Sequence, residues 1–318
     1  MHSPTRRDAL IRFAGVAALS AAGAACSTMK PESPAVRDRF VTYESFKSGQ
    51  IAARNVVVWL PADYDTGTDR YAVLYMHDGQ NLFDPATSMA GQPWAVDKQL
   101  AALMREGTAR KTIVVGINNS PDRSFEFAPA AALATLPPAL RDVVHVTQKA
   151  ALSDQYLEFM VRELKPFIDA NFRTRSDRGN TFVMGSSMGG LISLYALAKY
   201  PDMFGGAGCV STHWPITTNP KLLSPSVDPR VREIAQCYFD WLDKNLPRAG
   251  AHRVYFDHGT INLDALYAPF QAKADALMRS KGYRQDIDWM TRVYEGADHN
   301  EPAWRARVAT PLTFLLHS

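Results

Sequence analysis

The segment Gly185-Ser186-Ser187-Met188-Gly189-Gly190 holds the residues best suited to covalent chemistry in this 318-residue chain. An apolar run, Thr181 to Met184, leads into it, and a helix-like run, Leu191 to Tyr200, follows. This is the strand–turn–helix setting in which a nucleophilic serine is held at the top of a sharp elbow. A side chain two residues before or after that serine would strike the neighbouring strand or helix, and glycine removes the collision. Of the two adjacent serines, only Ser187 has glycine at both places. By itself the pattern decides little. Roughly one chain in ten of this length carries Gly-x-Ser-x-Gly by chance, and a glycine-rich turn before a helix would look the same.

A serine hydroxyl needs a general base within hydrogen-bond reach, and the base needs an acid to orient it. On a sheet of this type the chain order is Ser, then Asp or Glu, then His. The histidines after Ser187 are His213, His252, His258, His299 and His317. His252 opens a predicted strand and His317 lies past the last helical run. His299 falls in Glu295-Gly296-Ala297-Asp298-His299-Asn300, a loop directly after the last predicted strand, where a hinged base belongs. The acid belongs on the loop after the strand His252 to Phe256. That place favours Asp264, whose competing reading is a cap on the helix behind it; Asp257, still nearly within the strand, is the alternative. Two backbone N–H groups must meet the developing oxyanion. Met188 follows the nucleophile at a helix start, and Gln80 lies in His77-Asp78-Gly79-Gln80 after an earlier strand. Losing one such donor costs roughly 3 kcal/mol of transition-state stabilisation.

The elements that must position these groups alternate along the chain. Val41 to Leu60 reads as an opening antiparallel pair closed by Pro61. Tyr71–Met76, Thr112–Ile117, Thr181–Met184, Gly206–Val210, His252–Phe256 and Asp288–Tyr294 read as strands. Helices are predicted over Trp94–Met104, Asp154–Phe172 (kinked or divided by Pro166), Leu191–Tyr200, Val231–Leu246, Ala265–Met278 and Pro302–Leu316. The alternation implies a single α/β domain over residues 40–318, a mostly parallel central sheet with helices on both faces. Two stretches interrupt the rhythm, Ser120–Gln148 and Ser211–Ala251. Both follow carboxyl ends of strands, where ligands bind in such sheets, and are expected to frame a pocket. Trp94, His213 and Trp214, on or beside these loops, could stack on a sugar or aromatic acyl group. A metal hydrolase using His77, Asp78 and Asp84 fits no ligand spacing; no metal or cofactor is expected. Cys209 reads as a buried small hydrophobe, and nothing brings it to Cys237.

The formal net charge is +3, of which Arg6, Arg7 and Arg12 against Asp8 account for +2 within residues 1–25. No basic field remains to argue for nucleic acid. Paired arginines before the apolar run Ala14–Ala25, which is too short to span a membrane, read as an export signal of the twin-arginine type. Ala24-Ala25-Cys26-Ser27 then reads as a lipoprotein cleavage site that would leave Cys26 acylated in the periplasm, residues 26–39 forming a tether.

Taken together, Val58-Trp59-Leu60-Pro61, Tyr75-Met76-His77-Asp78-Gly79-Gln80-Asn81-Leu82-Phe83-Asp84, Gly185–Gly190, Phe256-Asp257-His258-Gly259-Thr260 and His299 with Trp304 resemble the esterase D-like ("putative esterase") α/β hydrolases. That family includes enterobactin, feruloyl and acetylxylan esterases and S-formylglutathione hydrolase. The resemblance spans most of residues 40–318 and implies the α/β-hydrolase fold, a serine esterase, Ser187 as nucleophile, His299 as base, and Met188 and Gln80 as oxyanion donors. Many relatives carry Asp three residues after the strand-ending glycine, where this chain has Asn262, so the acid stays open between Asp264 and Asp257. The expected substrate is an extracytoplasmic ester, an acylated carbohydrate or siderophore-type compound. An acyltransferase with the same nucleophile and a non-catalytic lipoprotein binding module are the alternatives.

Overall fold

The computed structural model of the chain describes residues 37–141, 143–144, 150–223 and 227–317. The export segment, Cys26 and most of the tether lie outside the described residues.

Among the described residues eight strands form one sheet in the order β1-β2-β4-β3-β5-β6-β7-β8. The first two, β1 (Arg39–Phe46) and β2 (Arg54–Leu60), are antiparallel, and β2 runs antiparallel to β4 (Thr112–Ile117). From there β3 (Ala72–His77), β4, β5 (Thr181–Ser186), β6 (Gly206–Val210), β7 (Arg253–Gly259) and β8 (Trp289–Tyr294) are all parallel. Central strands buried on both faces must be apolar throughout, which is why β3, β4 and β5 are continuous hydrophobic runs. One face is covered by Met188–Lys199, Pro229–Asn245, Ala268–Ser280 and the long helix before β5, the other by Val96–Arg105 and Ala309–Leu316.

The helix before β5 is divided at Pro166 as expected: Ser153–Glu158 passes through a π-type stretch, Phe159–Leu164, into a segment Lys165–Asn171 that carries the proline in its first turn. The wider turn takes up the missing proline N–H and keeps its ring off the preceding carbonyl. Two helices differ from the expected form. The closing helix is two, Glu301–Arg307 and Ala309–Leu316. The helix after β7 starts later than predicted, at Ala268, and a 3₁₀ turn, Asn262–Leu266, precedes it. Asp264 therefore sits in that turn rather than capping the helix. Buried Arg54 on β2 grips Glu126 with two bonds of 2.6 and 2.8 Å, pinning the first insertion to the sheet.

Of the nine non-glycine residues with positive φ among the described residues, four share one edge of the sheet. Asp78 after β3, Ser187 after β5, Ser211 after β6 and Asn262 after β7 all have positive φ, at 55°, 59°, 41° and 51°. Non-glycine residues held there cost about 1–3 kcal/mol each and cluster where structure serves a site. All four lie past the carboxyl ends of parallel strands, the ligand-binding edge of an α/β sheet.

Candidate active site

Ser187 stands between β5 and its helix with φ 59° and ψ −122°, and its side chain makes no capping bond to that helix. The elbow is tied to the neighbouring strand: the Ser187 N–H donates to the Val210 carbonyl at 2.9 Å, and the His213 N–H donates to the Ser187 carbonyl at 3.1 Å. Of the two flanking glycines, only Gly185 is forced by a close approach. A Cβ on Gly185 would come within 3.0 Å of the Gly189 backbone, a tight contact. One on Gly189 would meet its neighbours at an ordinary 3.6 Å, whereas one on Gly190 would lie 2.8 Å from Thr212 Oγ1. The second close approach is therefore at Gly190, where the helix crosses the β6 end.

Ser187 and Met188 line a cavity of about 570 Å³ with Arg123, His213, Thr217 and Leu263. Arg123 comes from the first insertion, and His213 and Thr217 from the second, so both insertions wall the pocket. A cavity of about 500 Å³ at the amino ends of the strands, lined by Arg110, His252 and Arg253, holds none of the predicted site residues.

The two loops that carry the candidate base and acid are laced together. His299 Nδ1 lies 2.6 Å from Asp264 Oδ1. Asp264 Oδ2 accepts from Ser211 Oγ and from the Gly259 N–H, both at 2.6 Å. The carboxylate is fully buried. Burial raises its proton affinity, but the bonds from His299, Ser211 and Gly259 outweigh this and hold it below the usual carboxylate range. Thr260 and Ile261 donate to the Ala297 carbonyl at 3.1 and 3.3 Å, and Asn262 Nδ2 donates to Asp298 at 2.9 Å. Asn262 thus joins the acid's loop to the histidine's loop. Gly259 lies so close that a Cβ there would fall 2.0 Å from the Ala297 oxygen. The His299 ring is fixed edge-on by Tyr267 and Trp304, centroids 5.7 and 5.1 Å away. Asp257, the alternative acid, lies within β7 and is directed elsewhere, to Tyr255 and Arg307 at 2.9 and 3.1 Å.

Gln80 occupies a 3₁₀ turn, Gly79–Asn81, directly after β3. The turn is pressed onto β4: a Cβ on Gly79 would lie 2.5 Å from Gly116. Gln80 Oε1 accepts from the Asn119 N–H at 3.2 Å, bracing the loop from the far side. Asp78 is engaged by Arg123 in a bidentate pair of 2.6 and 2.7 Å and by Asn119 at 2.7 Å. Met188 opens the helix after Ser187, where first-turn N–H groups lack helical acceptors.

Two of the three proposed stacking residues are corrected. Trp94 and Trp214 are 3% and 1% exposed. Trp94 packs against Trp304 and Trp214 against Phe239, so both fill core rather than present a face to a ligand. His213 does line the cavity, but its ring is fully engaged, Nδ1 with Tyr267 Oη at 2.7 Å and Nε2 with the Thr217 carbonyl at 2.8 Å. Cys209 is buried on β6, and neither it nor Cys237 is in a disulfide. Among the described residues no three metal-ligating side chains converge. Arg123, Ser211, Tyr267 and Arg307 were not singled out in the sequence. Ser211 alone left a trace, as a small polar residue just past a buried strand, as Ser187 is.

Burial also sets a pH dependence of stability. It lowers His77 to about 3 and His213 to about 4. Both stay neutral when folded, while the unfolded chain takes up those protons below about 6.5. The unfolded state then binds more protons, so stability should fall as pH drops, by about 1.4 kcal/mol per pH unit and histidine between about pH 6.5 and 4. Urea midpoints at about pH 7 and about pH 4.5 measure this. His77→Gln should reduce the slope; an unchanged slope would show that His77 does not carry it.

In sequence, the chain is 26% identical over 162 residues to the uncharacterized protein YbbA of Bacillus subtilis (strain 168), covering 51% of this chain and 58% of that one. It is 26% identical over 170 residues to a siderophore enterobactin esterase of Emericella nidulans, covering 48% and 56%. The chain thus matches little more than half the length of either relative. Solved structures share its fold at low identity. A ferulic acid esterase superposes with a TM-score of 0.60 at 19% identity, over 88% of this chain and 98% of that one. The enterobactin esterase of Shigella flexneri, solved in the presence of enterobactin, gives 0.61 at 18% identity, over 90% and 60%. The Putative esterase family profile matches residues 52–315, from β2 through the histidine loop to the closing helix, and the chain belongs to that family.

Proposed function

We propose that this protein is a serine carboxylic-ester hydrolase that works through an acyl-enzyme on Ser187. The observation that carries the reading is the 2.6 Å bond between His299 and the buried carboxylate Asp264, on loops laced together at the same sheet edge as the serine elbow. With Nδ1 occupied by Asp264, Nε2 is the imidazole nitrogen free to take the Ser187 proton. The alkoxide attacks the ester carbonyl, and the Met188 and Gln80 N–H groups receive the oxyanion. The imidazolium returns its proton to the leaving alcohol, and water repeats the sequence to release the acid.

The substrate side of the proposal is an ester met outside the cytoplasm, an acylated carbohydrate or siderophore-type compound. Its support is the export-type N-terminal sequence and the feruloyl and enterobactin esterases among the relatives. Among the described residues the cavity is lined by apolar Leu223, Leu263 and Leu266 together with Arg123, whose charge is shared with Asp78, which suits an acyl group with an aromatic or aliphatic body and a polar rim. The protein is expected to be held at the membrane by acylated Cys26.

An acid quench during turnover of p-nitrophenyl acetate tests the mechanism. Peptide mass analysis should find an acetyl group on the peptide containing Ser187. Sustained turnover with the acetyl group on another residue, or an unmodified Ser187 under a phosphonate that abolishes activity, would refute it.

A further inference from the structure

The pairing of His299 with Asp264 is backed by a second, deeper layer of charge. Ser211 is its hub. The Ser211 hydroxyl donates to Asp264 Oδ2 at 2.6 Å and accepts from Arg307 Nη2 at 2.6 Å and Trp304 Nε1 at 3.0 Å. This uses its one donor and both its lone pairs. Its backbone N–H donates to Asp257 Oδ1 at 3.0 Å. The same Arg307 nitrogen lies 3.1 Å from Asp257 and 3.7 Å from Asp264. Ser211 holds these bonds at φ 41°, a conformation that disfavours any residue with a Cβ.

We propose that Arg307 and Asp257, bridged by Ser211, form a buried positioning pair that holds Asp264 ionised and aimed at His299. This rests on the proposed hydrolase reading. Arg307 is 4% exposed, and its Nε and Nη1 find no partner among the described residues. Its guanidinium instead lies over the Tyr294 ring, 4.9 Å from the centroid. A cation so buried and so incompletely bonded is a poor source of stability, because an apolar side chain of similar volume would cost less. What it does supply is charge. With His299 neutral, the cluster of Asp257, Asp264 and Arg307 carries one net negative charge. An imidazolium at His299 would neutralise it, which favours the charged base that forms during proton transfer. Without Arg307 two buried carboxylates would face each other across Ser211 uncompensated, and their charge would raise the proton affinity of His299 along with their own. Burial already raises the proton affinity of Asp257, with Arg307 opposing it.

Arg307 and Asp257 touch no substrate, so their effect must pass through Asp264 and His299. The other groups that touch or electrostatically sense His299 are Tyr267 from the turn before its helix, Trp304 and Glu301 from the last helical pair, Asp298 beside it and His213. None of them changes in the variants below. In the full-length protein, Arg307→Gln removes a positive charge and should move the acid limb of kcat/KM to higher pH by about one unit. Asp257→Asn removes a negative charge and should move it to lower pH by a similar amount. The double variant should return the limb to within a few tenths of a unit of wild type, and Arg307→Lys should leave it in place. Thermal melts of each variant report folding separately. A purely structural role predicts lower rates with an unmoved limb, or shifts of one sign, and either result overturns the proposal. If Arg307→Gln does not fold, Asp257→Asn against wild type and Arg307→Lys still decides: an unmoved limb, or one moved to higher pH, overturns the proposal. If Ser187→Ala is fully active, the hydrolase reading itself falls; if it is inactive while the limb ignores both charges, only this inference fails.

Discussion

Ser187→Ala is expected to lower kcat for p-nitrophenyl acetate by about 10⁵-fold while leaving the melting temperature within about 2 °C of wild type. The two halves of that result have separate causes. On the proposed mechanism the hydroxyl forms the bond to the acyl carbon, so no other group can replace it. What survives is the rate supplied by the oxyanion donors and by binding. The fold has little reason to notice. Ser187 already holds φ 59°, alanine meets the same strain, and the lost hydroxyl makes no capping bond to the helix behind it. Ser186, 5% exposed at the end of β5, is the control. On the elbow geometry, Ser186→Ala should keep activity within about threefold. Equal losses in both variants would mean that the turn, not the nucleophile, is what matters, and a fully active Ser187→Ala would end the mechanism.

The fold was legible because burial on both faces leaves a plain mark. Strands such as Leu74-Tyr75-Met76 and Val114-Val115 read as unbroken apolar runs, and the alternation with helices fixed the parallel sheet. His299 was legible for a related reason: it follows the last strand, and loops after parallel strands face the ligand edge. The acid was not. Asp257 and Asp264 are seven residues apart, and what separates them is that β7 extends through Gly259, leaving Asp257 inside the sheet and in reach of Arg307. Arg307 lies on a helix fifty residues away in sequence, so no local pattern could reveal the contact. Direction was equally hidden for the tryptophans. Trp94 and Trp214 do sit beside strand ends, but a loop residue can turn toward the core as readily as toward solvent, and both turn inward. Pro166 marked its segment boundary, but the π-type stretch before it left no sign in the sequence.

The second large effect separates the two carboxylates. Asp264→Asn is expected to cost about 10³–10⁴ in kcat near neutral pH with the fold intact. Asparagine fills the same space and can still hold Ser211 and the Gly259 N–H. What changes is its relation to His299. A carboxylate accepts from Nδ1–H, which leaves Nε2 bare to take the serine proton and stabilises the imidazolium that results. With its oxygen kept on Ser211 and the Gly259 N–H, the amide N–H faces Nδ1, imposes the wrong tautomer and puts a proton on Nε2; the reverse orientation keeps the tautomer but lacks the charge and sets the amide NH2 against the Gly259 N–H. Asp257→Asn changes no group that touches His299, so its loss at the pH optimum should stay below about tenfold, however far its acid limb moves. Steady-state rates for the two variants across pH make the comparison. If Asp257→Asn proves the crippled enzyme and Asp264→Asn the tolerant one, the 2.6 Å bond between His299 and Asp264 is not the one that orients the base. In that event the loop bearing His299 would have to swing toward β7 during catalysis, against the bonds that tie it to Thr260, Ile261 and Asn262.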